Sequence, residues 1–304
     1  MSNRPLLVAA AFATLAQLLW AGNFITARAL REVIDPINLN FLRWLLAALI
    51  LLPLVLRDRR AIAAALRAQP LQILMLSALA ITGFNTLLYA GLQTATVAEA
   101  GIITGLAPIL ILLLARFWDG TALTGGQIAG GALAFLGALL VLSGKEGGGV
   151  SGIRGPAFLL GAATAWAAYT VAYQRFKIPL KPLSALGLFA ALGSLLMLAL
   201  VPFAPTPIGQ IPLTGEVIFG LTYITLGASI LALYSWNRGA SVLGPARVGV
   251  FLQLIPVFAM ILGVLILGET VTPMQIAGLA CVFGGVLVAQ RRGRVSAVQA
   301  GAQR

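Results

Sequence analysis

Of the 304 residues, 60% are hydrophobic and 9% charged, and a mean hydropathy of +1.00 excludes an ordinary soluble globular domain. The one cysteine, Cys281, rules out an intramolecular disulfide, and with no histidine and no cysteine cluster the chain offers no recognisable zinc or haem site, so no metal or cofactor is expected. A net charge of +12 would point to nucleic acid in a soluble protein; in a membrane protein it reflects basic cytoplasmic loops, and no nucleic-acid partner is expected.

Apolar stretches of spanning length recur from Leu6 to Ala289, which is the pattern of a multi-pass protein rather than of one cleavable leader. Charge clusters, prolines and glycines divide them into ten spans. The first, 6–28, carries Gln17, Trp20 and Asn23 at i,i+3 spacing, hence on one helical face. Asp35-Pro36 opens the second, 36–56, which holds Arg43, the one basic residue inside a span; a structural role for it is the simpler reading, substrate binding the other. Gln69-Pro70 opens the third, 70–93, with Asn85 and Tyr89 at i,i+4. The fourth, 96–115, begins near Glu99, which reads as a dipole-favoured helix-start charge, and contains Thr104 and Pro108. The fifth, 125–143, is mostly small and aliphatic and ends at Gly144, Gly147, Gly148 and Gly149. Trp166, Tyr169 and Tyr173 form an aromatic stripe in the sixth, 154–174, and Lys181-Pro182 opens the seventh, 182–202. Tyr234 lies in the eighth, 214–236, Gln253 and Pro256 in the ninth, 245–267, and the tenth, 273–290, again suits close packing.

With a cytoplasmic N-terminus, fifteen Lys and Arg residues fall in inside segments, and only Arg28, Arg31, Lys145 and Arg154 outside. The positive-inside rule therefore predicts that both termini are cytoplasmic. The chain also repeats itself. TGGQIAG at 124–130 returns as TPMQIAG at 272–278, an offset of 148 that also pairs Gly101 with Gly249, Pro108 with Pro256 and Gly137 with Gly285. Upstream the offset is 146, pairing Trp20 with Trp166 and Pro36 with Pro182, which implies a small insertion around Leu243 to Pro245. Five spans per copy is an odd number, so the second copy enters the bilayer from the opposite side. The expectation is an all-α membrane protein of two inverted five-helix repeats, 1–145 and 146–292, with a basic cytoplasmic tail at 293–304.

The Trp20-Ala21-Gly22-Asn23 and Trp166-Ala167-Ala168-Tyr169 pairs, the proline within each fourth helix, and Leu267-Gly268-Glu269 followed by Thr272, Gln275 and Gly278 resemble the EamA-type members of the drug/metabolite transporter superfamily. The likeness covers nearly the whole chain and is greatest to the bacterial YddG-type amino-acid exporters. It departs in the first repeat, where Thr121 stands opposite Glu269, so Glu269 reads as a helix-end cap rather than a coupling group. The resemblance implies an exporter of small metabolites, with amino acids foremost, in the bacterial inner membrane; a monomer is one open option for its oligomeric state.

Because lipid supplies no hydrogen bonds, deep polar side chains are expected to face a cavity or the bundle interior. The substrate candidates are Gln17, Trp20, Asn23, Asn85, Tyr89, Thr104, Trp166, Tyr169, Tyr173, Tyr234 and Gln253, with Pro108 and Pro256 as helix kinks whose freed carbonyls either bind substrate or serve as bending points. No acidic residue falls at the centre of a span, which favours a neutral site and downhill transport. A nucleotide-sugar or sugar-phosphate exchanger requires several cavity cations where the spans offer only Arg43. An enzyme requires metal-binding acids or a nucleophile with its base, neither of which is evident; a scaffold without flux stays an alternative, against which the polar faces and the inverted repeat argue.

Overall fold

The computed structural model describes residues 4–120, 123–143, 150–244 and 248–301, and every regular element among them is helical. Thr121, the 144–149 linker with Lys145, Pro245, Arg247 and the last three residues lie outside that set, as do the side chains of the basic tail. In chain order the elements are α1 (Pro5–Ala29), α2 (Pro36–Arg57), the short α3 (Arg59–Ala68), α4 (Pro70–Leu92), α5 (Val97–Trp118), α6 (Gly125–Ser143), α7 (Val150–Phe176), α8 (Pro182–Leu198), α9 (Gly215–Leu243), α10 (Leu254–Leu267) and α11 (Pro273–Gly301). Of these, α1, α2, α4, α5 and α9 are long and apolar enough to cross a membrane, and α6, α8, α10 and α11 contain shorter apolar stretches. Leu265, Phe219 and Leu139 are 75%, 72% and 60% exposed, as side chains facing lipid are.

Several boundaries differ from expectation for local reasons. The stretch expected as 182–202 stops at Leu198, because Pro202, Pro205 and Pro207 allow only the short turns Val201–Phe203 and Ile208–Gln210. The stretch expected as 214–236 runs on to Leu243. What reads as a basic loop after Arg57 is the amphipathic α3, which buries Ile62 and Ala65 and leaves Arg59 and Arg60 exposed.

The helix starts are capped by the residues that mark them in the sequence. Asp35 accepts from the backbone N–H groups of Ile37 and Asn38 ahead of Pro36, and Thr96 and Glu99 form a reciprocal capping box at α5. The recurring phrase is the same device: Thr124 Oγ1 accepts from Gln127 N while Gln127 Oε1 accepts from Thr124 N, and Thr272 and Gln275 repeat both bonds. The glycine that ends each phrase is a packing notch. A Cβ on Gly130 would lie 2.3 Å from the Gly285 carbonyl oxygen, and one on Gly137 would lie 2.6 Å from that of Gly278, so α6 and α11 touch backbone to backbone. At the repeat offset of 148, Gly130 corresponds to Gly278 and Gly137 to Gly285, so each glycine meets the counterpart of the other. Other close approaches are made where Gly91 of α4 meets Gly155 of α7 and Gly239 of α9 meets Ala9 of α1.

Two ends follow from these contacts: a proximal end where α1 begins and a distal end where it finishes. One apolar core fills the distal half and draws on α1, α2, α4, α5, α7, α9 and α10 through Phe24, Leu39, Leu88, Ala100, Leu159, Leu221 and Ala259. The proximal half is divided. Trp44, Ile73, Ala172 and Leu188 join α2, α4, α7 and α8 with α3 in one cluster, and α1 packs separately on α9 across Gly239. At the distal rim Arg28 Nη1 donates to the carbonyls of Leu92 and Gln93, and Glu269 accepts from Val97 N, which is the capping role expected of it.

Gly130→Ala is expected to lower the unfolding midpoint in detergent by an amount equivalent to about 1–3 kcal/mol, because the obstructing atom is backbone and the loss exceeds what alanine gains in helix propensity. Leu139→Ala, on an exposed face of the same helix, should leave the midpoint nearly unchanged. At the proximal end Ser184 Oγ donates to Asp58 at 2.6 Å and Lys181 Nζ lies 3.6 Å from it. The Ser184 bond, opposed in part by desolvation and aided by the weaker pull of the Lys181 charge, holds the Asp58 carboxyl below its usual 3.8. A carboxylate with a depressed pKa stabilises the fold above its ordinary value and ceases to as pH falls through the lowered one. Ser184→Ala should therefore move the acid loss of stability to higher pH, read from melts across a pH series.

Candidate transport site

At the centre of the bundle α4 and α9 each depart from α-helical winding. Residues Ala78–Gly83 and Tyr223–Leu231 adopt π turns, which widen the backbone and leave carbonyls in need of donors. Side chains supply them. Asn85 Nδ2 donates to Ala80 O, Asn40 Nδ2 to Ile81 O, Ser229 Oγ to Ile224 O and Trp20 Nε1 to Ala228 O.

Arg43 of α2 joins these two turns. Its Nε donates to Ser229 Oγ at 2.9 Å, and its Nη1 is shared among Asn23 Oδ1 at 3.0 Å, Asn85 Oδ1 at 2.9 Å and Tyr89 Oη at 2.5 Å. Tyr89 in turn donates to Asn23 Oδ1 at 2.8 Å. Four helices thus converge on one guanidinium that is 4% exposed and has Trp44 4.8 Å away under its charge. No carboxylate pairs with it among the described residues, and Nη2 has no acceptor there.

Aromatic rings border this hub, from its own level at Phe84 to its proximal side at Tyr173. Trp20, one turn before Asn23, stacks at 5.8 Å on Trp236. Phe84, Trp166, Tyr169 and Tyr173 form a continuous run, with successive centroids 5.0, 5.3 and 5.6 Å apart. Trp20, Trp166, Tyr169 and Tyr173 are half-buried, whereas Tyr89 is 1% exposed and belongs to the hub rather than to an open wall.

The remaining sequence candidates are scattered. Tyr234 is 49% exposed and meets Phe12 edge-on at the margin of the bundle. Thr104 donates to Ala100 and Gly101 of its own helix. Gln17 donates to Ala13 O, and the buried Oε1 atoms of Gln17 and Gln253 have no partner among the described residues. Pro108 and Pro256 do interrupt their helices: α5 breaks between Thr104 and Ala107, and a 3-10 turn, Gly249–Gln253, precedes α10. Sequence reasoning puts a structural role for Arg43 first, and it counts Ser229 among the polar residues of the eighth span without choosing it as a site candidate. The signal available was a lone arginine at mid-span, which lipid does not tolerate without partners on neighbouring helices.

The EamA-like transporter family matches the chain twice, at residues 7–143 and 153–290. The chain belongs to that family. It is similar to the uncharacterized transporter YyaM of Bacillus subtilis (28% identical; 81% of this chain and 82% of that one) and to the aromatic amino acid exporter YddG of Ancylobacter novellus (28%; 68% and 71%). A probable amino-acid metabolite efflux pump of Salmonella typhimurium is 25% identical over 91% of this chain and 92% of its own. A crystal structure with a TM-score of 0.60 and 22% identity, covering 94% of this chain and 97% of its own, shares the fold. The EamA protein is a multi-pass transporter of the inner membrane, and its named relatives are transporters and exporters rather than enzymes.

Ser229→Ala removes both the acceptor for Arg43 and the donor for Ile224, and is expected to cost about 1–3 kcal/mol of stability. Thr225, buried in the same π turn with no partner for its hydroxyl among the described residues, is the comparator. Thr225→Val should be neutral or slightly stabilising, and thermal melts of the two variants side by side test the assignment.

Proposed function

We propose that this protein exports amino acids or closely related small metabolites by alternating access, through ten spans arranged as two inverted five-helix repeats, residues 1–145 and 146–292, with 293–304 as a cytoplasmic tail. The observation that carries the reading is a buried polar hub flanked by half-buried aromatic rings, sealed distally by one core and divided proximally. A zwitterion with an apolar side chain matches that combination of polar centre and aromatic wall. The cross-paired glycines of α6 and α11 support the inverted arrangement, since two antiparallel copies of one unit meet in that manner. The excess of Lys and Arg in proximal segments makes that end cytoplasmic, so the divided half faces the cytoplasm, where an exporter loads. The exporter of Ancylobacter novellus is named for aromatic amino acids and the efflux pump of Salmonella typhimurium for amino-acid metabolites, which favours the same class here.

Phosphorylated substrates fit poorly. Arg43 is the one Lys or Arg that is buried among the described residues, and a phosphate ester calls for several cationic donors. The buried acids Asp35 and Glu99 serve as helix caps, which leaves transport facilitative in this reading.

Liposomes containing the purified protein should take up labelled neutral amino acids without a pH gradient, with little gain when one is imposed. Trp20→Ala should lower that flux at least about tenfold, roughly 1.4 kcal/mol, while leaving membrane insertion intact. Leu139→Ala should transport as the parent does. Equal loss in both variants, or flux only under a gradient, would overturn the facilitative site.

A further inference from the structure

The central arginine lacks something that buried arginines ordinarily have. Removing a guanidinium from water is costly, and proteins offset the cost with a carboxylate or with a full set of acceptors. Arg43 has neither: its partners are two amides and two hydroxyls, all neutral, and Nη2 makes no bond among the described residues. Three acceptors crowd Nη1 while a neighbouring nitrogen has none.

The partners are held away from Nη2 by their own obligations. Asn85 is fixed by its bond to Ala80 O, Ser229 by its bond to Ile224 O, and Asn23 by the hydroxyl of Tyr89. Each side chain serving Arg43 is thus anchored to a π turn or to another hub member, and none is free to swing to the unoccupied edge. The ring pair Trp20–Trp236 stands about one to two turns proximal to the hub along its helices, and the pair Phe84–Trp166 lies level with it beside Asn85, so the apolar part of a bound molecule would meet rings at both positions.

We infer that Arg43 is the recognition group for a carboxylate on the transported molecule, with Nη2 as the first donor and Nη1 joining once an acceptor among Asn23, Asn85 and Tyr89 is displaced. The inference rests on the transport reading above and narrows it: the substrate must carry a carboxylate, and its amino group contributes less than the acid does. Displacing a hub acceptor also releases a bond between α2 and α1 or α4, so occupancy of the site loosens the seal between those helices. A planar two-oxygen anion suits the guanidinium fork, whereas an amide offers one acceptor oxygen and no charge.

The test uses the full chain in detergent and in liposomes, with four probes that share one ring: L-phenylalanine, 3-phenylpropionate, L-phenylalaninamide and phenethylamine. Binding is read as protection against thermal unfolding and by competition with labelled phenylalanine. Phenylalanine and phenylpropionate should bind within a few-fold of each other, and the amide and the amine at least tenfold more weakly. Arg43→Lys should keep the preference for the acids with reduced affinity, and Arg43→Gln should abolish the preference. The parent protein alone decides the matter if Arg43→Gln does not fold. Equal affinity for phenylalanine and its amide overturns the carboxylate role and leaves the amino-acid exporter reading standing. Binding of phenylpropionate without phenylalanine does the reverse, and protection by none of the four overturns both.

Discussion

A bilayer interior contains no water to satisfy a polar group, and the arrangement of this protein's centre follows from that constraint. Two π turns expose carbonyls, so Asn85, Asn40, Ser229 and Trp20 are needed as donors; two of those donors then present oxygen atoms to Arg43. The chain of dependence runs from backbone winding to side-chain choice to the position of a charge. Removing any one member leaves another unsatisfied in a medium that cannot substitute for it, which makes the hub more cooperative than its individual bonds suggest.

Around the hub, packing relies on small residues instead of polar ones. In lipid the hydrophobic effect does not drive helices together, and close van der Waals approach has to do so. Gly130, Gly137, Gly278 and Gly285 permit that approach for α6 and α11 at distances that a methyl group would prevent. The TxxQ capping box fixes where each of the two helices begins, and therefore the register in which the glycines meet. A phrase of seven residues thus sets both the start of a helix and its contact, and this is why it survives in both copies.

Much of the fold is legible in the sequence. Proline, capping and charge signals locate the helix starts to within a few residues, because those signals act through the backbone of the same segment. The amphipathic α3 and the early end of α8 are less visible, the first because a run of arginines masks a helical face and the second because three closely spaced prolines act together. The candidate site is legible only by half. Asn23, Asn85, Tyr89, Trp20 and Trp166 stand out as polar or aromatic residues at helical spacing, and the structure brings them to the hub or to its aromatic border. Tyr234 has the same composition signal but lies on the opposite face of its helix end, and Ser229 is one of several hydroxyls in its span, not set apart from Thr222 and Thr225 until the π turn that needs its hydroxyl is seen.

The repeats agree at their periphery and diverge at their centre. Glycines, prolines and caps coincide at offsets of 146 to 148, yet the position of Arg43 in the second copy is Phe189, packed edge-on against Tyr173, and that of Asn23 is Tyr169. At these two positions the first half supplies a charge and an amide where the second supplies rings. In the alternating-access reading proposed above, symmetry in the scaffold would let two halves exchange conformations at little cost, since each adopts a shape the other already has. Symmetry in the site would instead present a small molecule with two identical walls, and a molecule with a polar head and an apolar tail is better matched by two different ones. The divergence of Arg43 and Phe189 is the division of labour that the proposed amino-acid substrate would call for.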